Sequence, residues 1–388
     1  HDLIVVAEIA LAVTLLTGTS LLAQSFLYMK NLDPGFDPDQ VLTFELQLPG
    51  NDYDGDEAVR AFYDRLVEEA EGLPGVISAT AIDPLPLNFE AYSQDFYVPG
   101  GGSGQKDSER DQATEHSVGA NFFATMDIDL QEGRDFALGD TADAQPVIVV
   151  NRTLADRYWP ESGAVGQQLR LFPEETEAMI IGVVEDSKSL LMNEKAKPII
   201  YTTQSQDPRA RNFLALRTAA DPTAMVSAAR EVVRRLDPNL PLSRVRPFSS
   251  VVDTSLSPFE GSAKVLGVLT VVAFVLSGLG LWGVVAYTVG QSTQEIGLRQ
   301  ALGAQRKDLL KLVLRHGLFL TGTGLAIGLA ISAAATYFLS SLLFGVSRLD
   351  PTTFIGIVFL MAFLTLAATF FPARKATKIP PAVALRDA

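Results

Sequence analysis

Four long apolar runs and one long mixed stretch divide the chain. Leu3 to Ala23 carries Glu8 as its only charge, no charge occurs from Val265 to Gln294 or from Gly317 to Ser347, and Thr352 to Phe371 is again uncharged. A helix needs roughly 20 predominantly apolar residues to cross the hydrocarbon of a bilayer, so each run predicts a transmembrane helix, at about 1–26, 265–290, 317–346 and 352–373. Between the first two crossings the period changes. Val41 to Leu48 alternates as a strand, Asp56 to Gly72 places Val59, Phe62, Leu66, Val67 and Ala70 at helical spacing, and Val76 to Ile82 reads as a second strand.

A second strand-helix-strand unit lies far downstream: Asn212 to Arg217, a helix from Asp221 to Leu236 with Pro222 in its first turn, and Leu242 to Val245. Two such units at about 40–83 and 211–247 predict a split, ferredoxin-like sandwich. The material between them, about 84–206, is expected to be an inserted subdomain. Its short strands are expected near Asp95–Val98, Ala113–Val118, Val147–Val150, Gln168–Phe172, Met179–Val184 and Ile199–Thr202, with a helix from Asn151 to Trp159 capped by Asn151. The fold class is thus four membrane helices with a large α+β domain, residues 27–260, inserted between helices 1 and 2.

Charge sets the orientation. The segment 291–316 holds Arg299, Arg306, Lys307, Lys311 and Arg315 against Glu295 and Asp308, and short loops rich in Lys and Arg stay on the cytoplasmic side. Arg374, Lys375, Lys378 and Arg386 mark the inner end of the fourth crossing in the same way. Both termini are therefore expected in the cytoplasm and residues 27–260 outside it. Residues 27–260 hold 39 acidic and 20 basic side chains, the rest 6 and 11; such an acidic domain argues against nucleic acid as a partner. The chain has no cysteine, which excludes disulfides and thiolate metal sites. It opens on His1 rather than Met, as expected of a processed start or of a piece of a longer polypeptide.

Within the basic segment Glu295 and Arg299 stand four apart, the favourable order for a helical ion pair, while Ile296, Leu298 and Leu302 form an apolar strip. Gly303 can end that short helix, and a second starts near Gln305. In the third crossing Gly324, Gly328 and Ser332 form a small-residue face that lets another helix approach closely. Glu8 is the oddity. A carboxylate in a crossing is a functional candidate by default, yet Glu8 lies under two turns from the start and is expected to reach the headgroups.

The segment EIGLRQALGA with its following basic run resembles the cytoplasmic signature of FtsX-like and MacB-like permeases of ATP-binding-cassette systems. Lys30 to Pro38, KNLDPGFDP, resembles the stretch after that family's first crossing. NFFATMDIDLQEGRDF, VIVVNRTLADRYWP and IIGVVEDSK resemble phrases of its periplasmic core domain, and FPARKATKIPPAVALR its cytoplasmic tail. The resemblance implies a permease in the bacterial cytoplasmic membrane that works mechanically, by passing the closure of a separate cytoplasmic ATPase through the loop around Glu295 to Arg299. It also implies a homodimer, or a pseudo-dimer with a related permease half, and a periplasmic adaptor. Rival readings are an FtsX-like regulator of cell-wall hydrolases and an orphan permease half with a binding or signalling role.

Enzyme chemistry finds little support. No GxxxxGK[ST] phosphate loop exists, so the ATPase is expected elsewhere, and no cofactor is expected. Pro99 to Gly104 reads as a surface loop. His116 and His316 lack ligand partners at metal spacing. The pairs Glu174 with Glu175 and Glu185 with Asp186 read as solvated surface, because adjacent strand residues face opposite ways.

Overall fold

The computed structural model describes residues 2–99, 110–137, 139–291, 306–338, 344–347 and 350–376. Contacts divide the chain into two units, a helical one of 1–31 and 257–388 and an α+β one of 32–256.

In the α+β unit, strands β1 (Val41–Gln47), β2 (Val76–Asp83), β10 (Arg211–Thr218) and β11 (Ser243–Pro247) pair antiparallel in the order β11-β1-β10-β2. This is the order of a split sandwich built from two strand-helix-strand units. Alternate residues explain the layer: Leu42, Phe44 and Leu46 on β1, Ala79 and Ala81 on β2 and Leu214 and Leu216 on β10 share one face. That face is covered by helix α2 (Asp56–Glu71), through Val59, Phe62, Leu66 and Ala70, and by α5 (Val226–Leu236), through Ala229, Val232 and Val233. The downstream helix starts as a 3-10 turn, Pro222–Met225, because Asp221 accepts hydrogen bonds from the Thr223 amide and hydroxyl and tightens the first turn.

Residues 84–206 do more than add strands. β3 (Tyr92–Tyr97), β4 (Asp111–Val118), β6 (Val147–Asn151), β7 (Gln168–Leu171), β8 (Thr176–Val184) and β9 (Ile199–Thr203) pair in the order β4-β3-β7-β8-β6-β9, and β9 returns to pair parallel with β4. The path closes into a six-stranded ring, and closure removes the unpaired edges that an open sheet would present. Phe96, Ala113, Ile148, Val150, Leu169, Ile180 and Ile200 pack in one cluster with Leu154, Ala155 and Tyr158 of helix α4 (Arg152–Tyr158). The ring joins the sandwich through two paired residues on β2 and β4, Ile82 with Val118 and Asp83 with Ser117.

Two short elements depart from the sequence expectation. Strand β5 (Leu130–Gly133), on the outer side of β8, has four exposed residues and no apolar alternation to betray it. Helix α3 (Phe122–Met126) is held between left-handed residues Asn121 and Asp127 and is too short to show a period. β3 also begins at Tyr92 rather than near Asp95.

The four apolar helices are α1 (Asp2–Lys30), α6 (Phe248–Gln291), α7 (Arg306–Phe338) and α8 (Pro351–Ala376), each holding a stretch long and apolar enough to cross a membrane. Helix α6 starts 17 residues before the expected crossing at 265 and continues through Pro258. The polar composition of its first turns hid it.

One side chain ties the ring together. Asn151 is fully buried; its Oδ1 accepts from the amides of Leu154, 3.2 Å, and Ile199, 2.8 Å, while its Nδ2 donates to Asp186 Oδ1, 2.6 Å, and Lys197 O, 2.8 Å. It caps α4 and stitches β6 to the approach of β9. Losing a helix cap and leaving buried partners unpaired together cost about 3 kcal/mol. Asn151→Ala is therefore expected to lower the unfolding free energy by that amount, read from the fluorescence of Trp159 beside the α4 terminus during denaturant titration. A change under about 1 kcal/mol, the usual range for surface sites, contradicts the assignment.

Candidate functional site: the membrane helices and the α+β surfaces

Lipid tails are as apolar as Leu, so membrane helices associate through close packing and hydrogen bonds rather than by escaping water. In this bundle α1 is the common partner. A side-chain carbon placed at Gly324 of α7 would lie 2.7 Å from Ile9 Cγ2 and 3.1 Å from Val6 O; one at Gly328 would lie 2.7 Å from Val13 Cβ and 2.9 Å from Ala10 O. The α7 backbone therefore lies against the α1 backbone at both positions. Ser332, one turn on, is buried and donates to Gly328 O at 2.7 Å, which leaves its hydroxyl satisfied within α7.

Hydroxyls and one amide make the other contacts. Thr19 and Thr270 share a 2.7 Å hydrogen bond between α1 and α6, and Ser277 of α6 donates to Glu8 O at 3.0 Å. Gln24 of α1 donates to Thr353 Oγ1 on α8 at 2.6 Å, and Asp350 accepts from the amide and hydroxyl of Thr353 at the start of α8. Thr321 and Thr365 pair at 2.7 Å between α7 and α8. Glu8 does not run out towards the end of its helix. Its carboxyl turns onto α6 beside Gly280, where any side chain would collide with Oε2, and that oxygen is buried without a hydrogen-bond partner. Sequence spacing revealed the carboxylate but not the glycine that makes room for it.

The loop residues Glu295, Ile296, Leu298, Arg299, Leu302 and Gly303 lie outside the described residues, as do Gly100 to Gly104. The described residues on either side of the loop are Gln291, in α6, and Arg306, in α7.

The α+β unit carries two polar centres, of which the one around Arg211 was not singled out by the sequence. On β10, Arg211 reaches Asp83 at 3.0 Å, Glu90 at 2.6 Å and Tyr92 at 2.9 Å, while Arg244 pairs with Glu45 and Glu90. Burial raises the Asp83 carboxyl, and the neighbouring Arg211 offsets only part of that. The second centre is His116, whose role is structural. Pro84 O can only accept, at 2.9 Å, so Nδ1 carries the proton and Nε2 accepts from the Ser189 hydroxyl at 2.6 Å. The ring stacks on Tyr201 and pins the loops at 84–89 and 187–194 to β4. Of the acidic pairs, Asp186 is no loose surface charge: it accepts from Asn151, from the Thr153 amide at 2.9 Å and from the Thr153 hydroxyl at 2.6 Å. Among the described residues no group of three or more His, Cys, Asp or Glu is arranged to hold a metal ion.

Comparison with known proteins matches both parts. The description of the MacB-like periplasmic core domain matches residues 3–236, and that of the FtsX-like permease C-terminal domain matches residues 267–381. The macrolide export ATP-binding/permease protein MacB of Marinobacter nauticus is 25% identical over 74% of this chain and 45% of its own length. The protein of that name from Syntrophobacter fumaroxidans is 28% identical over 54% of this chain and 32% of its own. This chain thus spans less than half the length of these curated relatives. The solved periplasmic region of MacB from Actinobacillus actinomycetemcomitans aligns with 58% of this chain and 97% of its own at 13% identity, with a TM-score of 0.39.

Burial pushes the His116 imidazole down to about 4 from its ordinary 6.5. The unfolded chain then takes up a proton near pH 6.5 that the folded chain refuses until about pH 4, so this residue costs stability as pH falls through that window. A shift of that size amounts to about 3 kcal/mol at pH 4 and nothing at pH 8. In His116→Asn, which keeps a donor to Pro84, the stability deficit relative to the parent is expected to shrink between pH 7 and pH 4 in parallel denaturant titrations. A deficit independent of pH contradicts the buried neutral ring.

Proposed function

The chain belongs to the family of permeases with a MacB-like periplasmic core domain and an FtsX-like C-terminal domain, and on that premise we propose that it is the membrane permease of an ATP-binding-cassette export system. The reading is carried by one observation, the order of the parts: one apolar helix, a large α+β unit, then three apolar helices, with both family descriptions falling on the matching segments. The chain sits in the bacterial inner membrane with both termini and the 291–316 loop in the cytoplasm and the α+β unit in the periplasm. Its charge asymmetry supports that orientation. These 388 residues hold no phosphate loop, and the ATP hydrolysis comes from a cytoplasmic ATP-binding-cassette partner.

The work is mechanical. Ile296, Leu298 and Leu302 dock into the ATPase, with Arg299 held by Glu295 or by an acidic residue of the partner. Displacement of this loop passes into α7, and from α7 into α1 through the Gly324 and Gly328 contacts. Helix α1 leads along the chain into β1, so the stroke reaches the periplasmic unit and moves cargo outside the membrane. Two permease copies, or this chain and a related half, form the complete machine with a periplasmic adaptor.

Detergent co-purification from the native cell, in a vanadate-trapped nucleotide state, is the direct check. An ATP-binding-cassette subunit is expected to accompany the chain and to be lost when Leu298 and Leu302 are both changed to Glu. Absence of any such subunit from the parent chain would sink the reading, and its retention by the double variant would move the docking site elsewhere.

A further inference from the structure

Helix α2 has a second working face. One face packs on its own sheet, but Arg60, Asp64 and Glu68, on successive turns, look instead into a cleft of about 580 Å³. Phe136, Thr141 and Ala81 line the same cleft. A cavity of this size is in the range that holds small organic ligands, which favour apolar walls with a few convergent polar groups.

The polar groups here are incompletely matched. Arg60 Nε is buried and has no hydrogen-bond partner, and a buried donor left unpaired is costly. Burial holds the Asp64 carboxyl above its ordinary range, and Arg60, one turn away, offsets only part of that. Glu71, at the end of the same face, is already engaged by the Ala79 amide and Asn121. The cleft therefore offers the unpaired Arg60 Nε, the Asp64 and Glu68 carboxylates, and apolar lining from Phe136 and Ala81.

We propose that this cleft binds small amphiphiles that carry a protonated amine next to a carbonyl oxygen. The ammonium sits against Asp64 and Glu68, the oxygen accepts from Arg60 Nε, and the apolar body lies on Phe136 and Ala81. A matched anion is disfavoured, because it would meet the same two carboxylates, and the acidic α+β unit as a whole concentrates cations near it. The site gives the export reading a class of cargo and rests on that reading for its biological use; binding itself does not require it.

The absence of native cysteine allows a direct test in the full chain held in lipid nanodiscs. A single cysteine at Thr141, which is exposed at the cleft, is labelled with a water-soluble maleimide; a single cysteine at exposed Asn239, outside the cleft, is the control. Three matched probes are added: glycine octyl ester, octyl acetate and mono-octyl malonate. The glycine ester is expected to slow labelling at Thr141→Cys and not at Asn239→Cys. Its apparent affinity should exceed that of the malonate by at least about fivefold, the scale of one exposed charge contact. Adding Asp64→Asn and Glu68→Gln should remove that preference, and Arg60→Met should weaken the glycine ester and the neutral acetate alike. Equal protection by ester and malonate overturns the proposal. So does protection of both cysteines together, which is surface adsorption, or no protection by any probe. No ATPase takes part, so failure here leaves the co-purification result untouched, and failure there leaves this one standing.

Discussion

The close approach of α7 to α1 is the constraint on which the helical unit depends. Two glycines one turn apart bring backbone against backbone, with Val6 O and Ala10 O only 3.1 and 2.9 Å from where side-chain carbons would stand. In a bilayer this matters more than it would in water, since no hydrophobic drive pulls one apolar helix onto another and dispersion between well-fitted surfaces must serve. The remaining helices are then fixed on the same framework by hydroxyl pairs, Thr19 with Thr270 and Thr321 with Thr365, and by Gln24 with Thr353. Helix α1 is central because its backbone takes the closest approach, against Gly324 and Gly328, and it also bonds to α6 and α8.

The α+β unit solves a different problem. It must keep shape without a membrane, and it does so by closing six strands into a ring and running the sheet on into a four-stranded sandwich. Asn151 and His116 act as internal fasteners, each satisfying groups on segments far apart in sequence. Neither has the geometry of a catalytic group: His116 has both ring nitrogens engaged within the fold, and Asn151 is spent on backbone and on Asp186. The unit is thus a closed, internally fastened sheet with a cleft beside α2.

Much of this was legible in the residues. Alternation at Val41–Gln47 and helical spacing at Asp56–Glu71 marked elements whose two faces see different surroundings, and length and lack of charge marked the four apolar helices. What escaped were features set by distant partners. LQEG at 130–133 is a strand only because β8 offers its edge, and the ring closes through a parallel pairing of β4 with β9 that no local pattern encodes. Gly324 and Gly328 were visible as a small face, but their partner helix was not. Glu8 was visible as an anomaly, while Gly280, which receives it, lies 272 positions away in the sequence. The Arg60 face of α2 was hidden because it looks like an ordinary solvated helix surface.

The seating of α7 on α1 by its glycines is the central contact, and α7 supplies its own control. Gly322, two residues before Gly324, has nothing within 4 Å of where a side-chain carbon would be. The measurement is the thermal unfolding of the full chain in detergent, comparing Gly322→Ala with Gly324→Ala and Gly328→Ala. Ala favours a helix over Gly by up to about 1 kcal/mol, so Gly322→Ala should leave the midpoint unchanged or raise it. The same added methyl should lower it at Gly324 and Gly328, because backbone carbonyls and β-branched side chains of α1 stand in its way. Three equal shifts, or a rise at Gly328, would contradict the seated pair and with it the proposed path from the loop to the α+β unit.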